Sequence, residues 1–346
     1  MKALMVGLGG VGQRHLRNLR ALMGDDTTVL AYRSRGLSHV LTDGLNIRPN
    51  CDLETEYNVR VFSDLTDALA ERPDVTFICN PTSLHMPVAL AAARAGSHLF
   101  IEKPLSHTID GIDELADVVK ARGLMALVGY QLRYHPCLRA LHALIEQRVV
   151  GRILAVRIEA GEYLPGWHPY EDYRQMYASR RDLGGGVILS QIHELDYACW
   201  LFGRPTRVFA VGGHLSPLEI DVEDTASILM DVTMDGQAIP VHVHQDYIQR
   251  PASRTCQVIG DAGKILMDLR EPSLRLFDGD GTAVALAPIA PFERNQLFLD
   301  EMAHFLACVR GEQTPVATLA DAALSLRVAL AAKRSMDTRQ VVELGQ

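Results

Sequence analysis

No apolar run in this chain is long enough to span a membrane, because Arg, Asp or Lys interrupts each candidate. The opening run, Lys2 to Val6, suffices for one buried strand and is too short for a signal peptide. The six cysteines, at 51, 79, 137, 199, 256 and 308, form no C-x-x-C pair. With no export signal either, they read as reduced thiols, and a cytoplasmic protein is expected. Internal repeats and low-complexity linkers are absent. A net charge of −8 argues against a basic nucleic-acid groove. Metal motifs are missing as well. His193-Glu194-Leu195-Asp196 is not the H-E-x-x-H zinc pattern, and His242 and His244 have no Cys or carboxylate cluster to match. What remains is ordinary for a globular protein: 346 residues, 48% hydrophobic and 22% charged, enough for two domains with substantial cores.

Against that background two short motifs stand out. Gly7, Leu8, Gly9, Gly10, Val11 and Gly12 follow the first apolar run and open a helix. Gly7, Gly9 and Gly12 fall at the spacing of a dinucleotide cradle, with first-turn amides and the positive dipole end facing the phosphates. The helix reads Val11 to Met23, with Val11, Leu16, Leu19 and Leu22 toward a sheet. Phe100-Ile101-Glu102-Lys103-Pro104 puts a lysine at the end of a later apolar strand, where ligands of a parallel sheet bind. A bound dinucleotide with an ionisable side chain beside its reactive end points to hydride transfer. The second strand, Thr28 to Tyr32, lacks the acidic residue that takes an NAD ribose hydroxyl. It ends instead in Arg33, Ser34 and Arg35, which suit a 2′-phosphate, so NADP is expected ahead of NAD.

Up to about residue 128 strands and helices alternate, the rhythm of a doubly wound parallel sheet. The stretch 36–57 is polar and reads as a weakly structured insertion. Beyond His135-Pro136 a helix, Cys137 to Gln147, leads into long β-rich runs separated in part by Asp-Gly turns, the pattern of an antiparallel sheet. Helices at Gly184 to Leu201, Gln296 to Arg310 and Leu319 to Ser335 would cover one face of it. The other face is expected to pair with a further copy of the chain.

These segments carry a family resemblance. GLGGVGQRHLRNL, CNPTSLHMPVALAAARAGSHLFIEKPLS, GYQLRYHP, GGGVILSQIHELDYACWLFG and DAALSLRVALAAKRS resemble the Gfo/Idh/MocA oxidoreductases over nearly the whole length. The resemblance implies a Rossmann domain over 1–128. It also implies an α/β domain over 129–346 with a large open, mostly antiparallel sheet, used for substrate and for homodimer or homotetramer contacts. Members transfer a hydride between NAD(P) and a hydroxyl-bearing carbon of a sugar, cyclitol or nucleotide sugar. Carried over by position, Lys103 lies near the nicotinamide and the substrate hydroxyl. Cys79, Asn80, Pro81 and His85 flank the nicotinamide ribose, with Glu102 in the lysine element. Gln131 stands where many members have Asn, and Arg133 of the same element is counted with the substrate contacts. His193 matches a histidine on a helix of the second domain. One departure matters: most members carry an Asp one turn before that histidine, and here Leu189 or Ser190 stands there.

Oxidising an alcohol needs a base for the hydroxyl proton, and histidine titrates nearest neutrality. His193 as base, with the Lys103 ammonium stabilising the developing alkoxide, is a coherent division. The segment 163–173 is rich in aromatics and hydrogen-bonders, the components of a sugar surface. Tyr163, Trp167, His168, Asp172 and Tyr173 are its candidates, followed by Arg180 or Arg181 for a carboxylate or phosphate on the sugar. The resemblance leaves two rivals to a dehydrogenase. One is a glycosidase working by transient oxidation with tightly held NAD; the other is a non-catalytic sugar sensor.

Overall fold

The computed structural model describes residues 1–24, 27–33, 39–42, 44–49 and 51–345. The first sheet is built from β1 (Lys2–Val6), β2 (Thr28–Tyr32), β5 (Arg60–Phe62), β6 (Val75–Ile78), β7 (His98–Glu102) and β8 (Ala126–Gly129). Its order is β5-β2-β1-β6-β7-β8 and every pairing is parallel. Five of its connections carry helices: α1 (Gly10–Met23), α2 (Leu53–Tyr57), α3 (Leu65–Ala70), α4 (His85–Ala95) and α5 (Ile112–Ala121). The caps follow the sequence. Asp64 accepts from Thr66 and Asp67 N–H at the start of α3, and Gly96 ends α4 in the left-handed region. The strand order reverses between β1 and β6, so ligands belong at the carboxyl ends of those strands, where Gly7 and Cys79 sit.

Between β2 and β5 the chain is more ordered than its polarity suggests. β3 (Val40–Leu41) and β4 (Ile47–Arg48) form an antiparallel pair, and Val40, Leu41 and Leu53 are buried. The anchor is α1: Gln13 Oε1 accepts from Leu41 N–H at 2.8 Å and its amide donates to the Leu8 and His39 carbonyls. Three apolar residues and one buried glutamine suffice to dock the segment. Composition alone hides that.

After α6 (Pro136–Glu146) comes a nine-stranded sheet: β9 (Ile153–Gly161), β10 (Pro205–Gly213), β11 (Thr225–Met234), β12 (Gln237–Asp246), β13 (Ser253–Gly260), β14 (Gly263–Asp268), β15 (Ser273–Asp278), β16 (Ala283–Val284) and β17 (Val342–Glu343). The pair β9–β12 is parallel and the rest are antiparallel. The single helix expected at 184–201 is two, α7 (Val187–Ser190) and α8 (His193–Phe202), because Gln191 breaks the helical backbone. α8 and α10 (Leu319–Thr338) cover one face of the sheet. On the opposite face Phe209 and Val211 of β10 and Leu229 of β11 stand exposed, while Val208, Ala210, Ile228 and Met230 are buried.

The third helix departs from expectation. α9 (Arg294–Val309) packs against α1 and the first sheet, where Met302, Phe305 and Leu306 share a core with Phe77, Phe100 and Leu127. α1 is therefore covered on a second side. That explains why polar His15 and Asn18 are buried in it, while Leu22, expected to face the sheet, is 40% exposed. Asn18 and Asn295 exchange side-chain amide bonds of 2.9 and 3.4 Å across the contact.

Candidate functional site

The glycine loop fits a dinucleotide, and the fit can be read from what a Cβ would meet. At Gly12 it would lie 2.1 Å from the Gly7 carbonyl oxygen, so close packing of helix on strand requires glycine there. Gly7 has φ of +89°, which a side chain disfavours. Gly9 is different. Its φ is −74° and a Cβ would meet nothing within 4 Å. Nothing among the described residues asks for glycine at that point, and a ligand close to the backbone would. The first turn of α1 has no acidic residue and no side-chain cap, which leaves its amides open to an anion. Leu8 is buried and Val11 half-buried beneath the loop.

One residue of the aromatic segment reaches this loop, and sequence reasoning passed it over. The Tyr170 hydroxyl lies against Gly10, 3.0 Å from where a Cβ would stand. Its ring lies between His39 and His168, with centroids 5.9 and 5.3 Å away. Arg33, at the end of β2, pairs with Glu54 at 3.3 Å. Ser34 and Arg35 lie outside the described residues.

At the end of β7, Glu102 is buried and its Oε1 lies 2.6 Å from His15 Nε2 of α1, while Oε2 accepts the Lys103 N–H at 3.2 Å. Burial pushes the Glu102 carboxyl up, but the His15 hydrogen bond and the neighbouring charges outweigh it and hold the group below its usual range. The phosphate-side helix is thus tied to the residue before Lys103. His85 bridges the Pro104 and Asn80 carbonyls at 2.8 and 2.9 Å, fixing the lysine element to the loop after β6. Pro81 opens the turn 82–84 there, Asn80 donates to the Leu84 carbonyl, and Cys79 is buried beneath.

Lys103 Nζ donates to the Ser190 carbonyl at 2.8 Å. That carbonyl, at the end of α7, belongs to one of the two positions at which the resemblance puts an Asp in most members. Among the described residues no ion pair joins Lys103 to an acid. His193 opens α8 and is almost fully buried, with the Tyr130 ring edge-on at 5.9 Å. The Gln131 amide donates to His193 Nε2 at 3.3 Å, which leaves the ring proton on Nδ1, a buried atom with no partner among the described residues. Burial first, then the charges of Lys103, Arg254 and Arg294, hold the His193 imidazole well below its usual range. No carboxylate opposes them. The site therefore presents a neutral imidazole and an ammonium, joined through α7 and α8.

Several expected substrate contacts are not free to serve. Arg133 is a correction: it is buried, with Nε and a terminal nitrogen 2.9 and 2.7 Å from the two Asp196 oxygens and another nitrogen on the Val316 carbonyl. Three of its five N–H groups are bonded within the chain and the group is buried, so its guanidinium joins the segment after β8 to α8. Arg180 pairs with Asp182, Arg181 with Asp221, and Asp172 with Arg174. The Tyr173 hydroxyl accepts from Glu219 N–H and His168 pairs with Glu171 at 2.6 Å. Tyr163 lies under the Arg250 guanidinium at 3.9 Å, and Trp167 packs edge-on against Tyr247 with its N–H unpartnered among the described residues. The segment is stitched partly to itself, through His168–Glu171, Asp172–Arg174 and Arg180–Asp182, and partly to 219–221.

Residues 1–130 match the family described as "Oxidoreductase family, NAD-binding Rossmann fold", and residues 138–266 match the GFO/IDH/MocA C-terminal domain. The chain is 26% identical to myo-inositol 2-dehydrogenase of Thermotoga maritima, covering 99% of this chain and 98% of that one. It is 25% identical to scyllo-inositol 2-dehydrogenase (NAD(+)) of Bacillus subtilis, covering 99% and 96%. In fold it is similar to the WlbA dehydrogenase from Bordetella pertussis, solved with NADH and UDP-GlcNAcA, with a TM-score of 0.79 at 20% identity over 100% of this chain and 99% of that one.

Proposed function

Because the chain belongs to the Gfo/Idh/MocA oxidoreductase family, we propose that it transfers a hydride between a nicotinamide cofactor and a hydroxyl-bearing carbon of a sugar, cyclitol or sugar derivative. The observation that carries this reading is the pairing of a neutral His193 with the Lys103 ammonium beside the glycine loop. The bound nicotinamide would supply the hydride acceptor. The glycine-loop backbone would hold its phosphates, and Asn80, Pro81 and Gln131 would flank the other end. Lys103 orients the substrate oxygen and stabilises its developing charge. His193 Nε2 takes the hydroxyl proton in oxidation and returns it in reduction, with the hydroxyl replacing the long bond from Gln131. The sugar and cyclitol dehydrogenases among the relatives support the substrate class.

NADP is the preferred cofactor in this reading, since Arg33 follows β2 and a 2′-phosphate would take its guanidinium from the exposed Glu54. The test is a panel of sugars, cyclitols and nucleotide sugars with NAD+ and NADP+, followed at the nicotinamide absorbance. Net reduction of NADP+ is expected. Product without cofactor change would mean the hydrolytic rival, and binding without reaction the sensor.

Assembly follows from the second sheet. Phe209 and Leu229 are registered opposite each other on its open face, with Val211 alongside, an apolar patch suited to a second copy. Light scattering at micromolar concentration should give a dimer or tetramer; a monomer would refute this.

A further inference from the structure

Gly10 is glycine for a reason that lies outside the glycine loop. It opens α1, and a Cβ on it would stand 3.0 Å from the Tyr170 hydroxyl and 3.1 Å from Leu45 Cδ2. Both distances are tighter than a Cβ ordinarily accepts, so the two side chains seat on bare backbone. Leu45 stands between β3 and β4, and Tyr170 comes from the second domain, between β9 and α7. At Gly9, one residue earlier, a Cβ would meet nothing within 4 Å. The loop is therefore covered at Gly10 and open beside it.

Tyr170 is held in that place from two sides. Its ring stacks on His168 at 5.3 Å with 17° between the planes, and it meets His39 at 5.9 Å. His39 is tied to α1, since the Gln13 amide donates to its carbonyl at 3.1 Å. His168 lies 2.6 Å from Glu171, so the acid next to Tyr170 is engaged. Burial raises the Tyr170 hydroxyl above its ordinary range, and it stays a protonated donor. Packing between two histidine rings does not call for that hydroxyl, because a phenyl ring would fill the same space. The first-turn amides of α1 have no acceptor inside the helix, and neither an acid nor a side-chain cap stands with them. A donor hydroxyl and open amides meet at one point of the loop, and an anion satisfies both.

We propose that Tyr170 is a ligand of the dinucleotide's pyrophosphate, supplied to the glycine loop by the second domain. The cofactor is then held by backbone amides of one domain and by a phenol of the other. The inference rests on the reading of the glycine loop as a dinucleotide cradle, and it puts one residue of the aromatic segment on the cofactor instead of the sugar.

The test measures equilibrium binding of NADPH, NADH and ADP-ribose to the full chain, by fluorescence for the reduced cofactors and calorimetry for ADP-ribose. ADP-ribose carries the pyrophosphate without the nicotinamide, so neither Lys103 nor a substrate enters the result. Tyr170→Phe should weaken all three by about tenfold, the scale of a hydrogen bond to a charged group. Tyr170→Leu should lose at least as much. Native affinity in Tyr170→Phe overturns the proposal, and a loss confined to Tyr170→Leu would leave the ring as packing alone. Tighter binding in Tyr170→Phe overturns it as well, because the hydroxyl would then block the amides. Weaker NADPH and NADH with unchanged ADP-ribose would move the contact off the pyrophosphate. A native chain that binds none of the three refutes the cradle and the proposal together. Binding that depends on the hydroxyl, in a chain that oxidises no sugar or cyclitol, keeps Tyr170 on the pyrophosphate and refutes only the oxidoreductase reading.

Discussion

Lys103→Met is expected to lower turnover by at least about a hundred- to a thousandfold, the scale of losing one preorganised donor to a developing oxyanion. Cofactor affinity should stay within a few-fold of the native value, because the cradle is built from the backbone of the glycine loop. Methionine keeps the length of the side chain, so the cost falls on the ammonium that Ser190 holds at 2.8 Å. Rapid-mixing measurement of hydride transfer, beside a fluorescence titration of reduced cofactor, separates the two effects. Near-native transfer in this variant would remove Lys103 from the chemistry. Loss of cofactor binding would place it in the cradle instead.

His193→Ala should cost about a hundredfold or more, as for other general bases. The pH profile carries the sharper information. Burial, then the Lys103, Arg254 and Arg294 charges, lower the imidazole pKa well below 6.5. A base must be unprotonated to act, and a lowered pKa keeps it so to lower pH. The rate should therefore stay flat through pH 6.5, with its acid limb at more acidic values, and that limb should vanish in His193→Ala. Persistence of the native rate and profile in the variant would dismiss His193, with Tyr163 as the next candidate.

Much of this arrangement is legible without coordinates, and the reason lies in what local pattern encodes. β2 falls at Thr28–Tyr32 as read, because a short apolar run between polar breaks admits one strand. The glycine spacing and the Glu-Lys-Pro element likewise depend only on neighbours in sequence. Periodicity finds a helix at Gln296 to Arg310, observed at Arg294–Val309, but cannot say which layer receives Met302, Phe305 and Leu306, since either sheet would bury them. The His15–Glu102 bond joins residues 87 apart, and nothing in a run of α1 marks His15 as inward-facing until α9 covers that side. Tyr170 could have been suspected from the density of aromatics around it. Arg133 shows the opposite case: a motif position suggested a ligand contact, whereas the fold sets buried Asp196 against one side of the guanidinium and the Val316 carbonyl against the other.

That buried pair yields the largest expected effect on stability. The Arg133 and Asp196 side chains are 3% and 2% exposed. Arg133 also lies over the Trp200 and Tyr130 rings, at 5.4 and 5.9 Å, while Asp196 accepts from Ser325 of α10 at 3.3 Å. The contact joins the segment after β8 to α8 and α10, three residues along from His193. Removing one partner strands the other charge in a site without water, which costs about 3–5 kcal/mol. Arg133→Met and Asp196→Leu should each lose about that much in denaturant unfolding. The double variant should recover a large part of it, because replacing a whole buried pair with apolar side chains is often close to neutral. The coupling from the four proteins isolates the pair from the packing each side chain also provides. If each single variant loses less than about 1 kcal/mol, the pair behaves as an exposed one and its burial does not matter to the fold. If the double variant loses the sum of the singles, the two residues act separately, and Arg133 holds the junction through its ring and Val316 contacts rather than through Asp196.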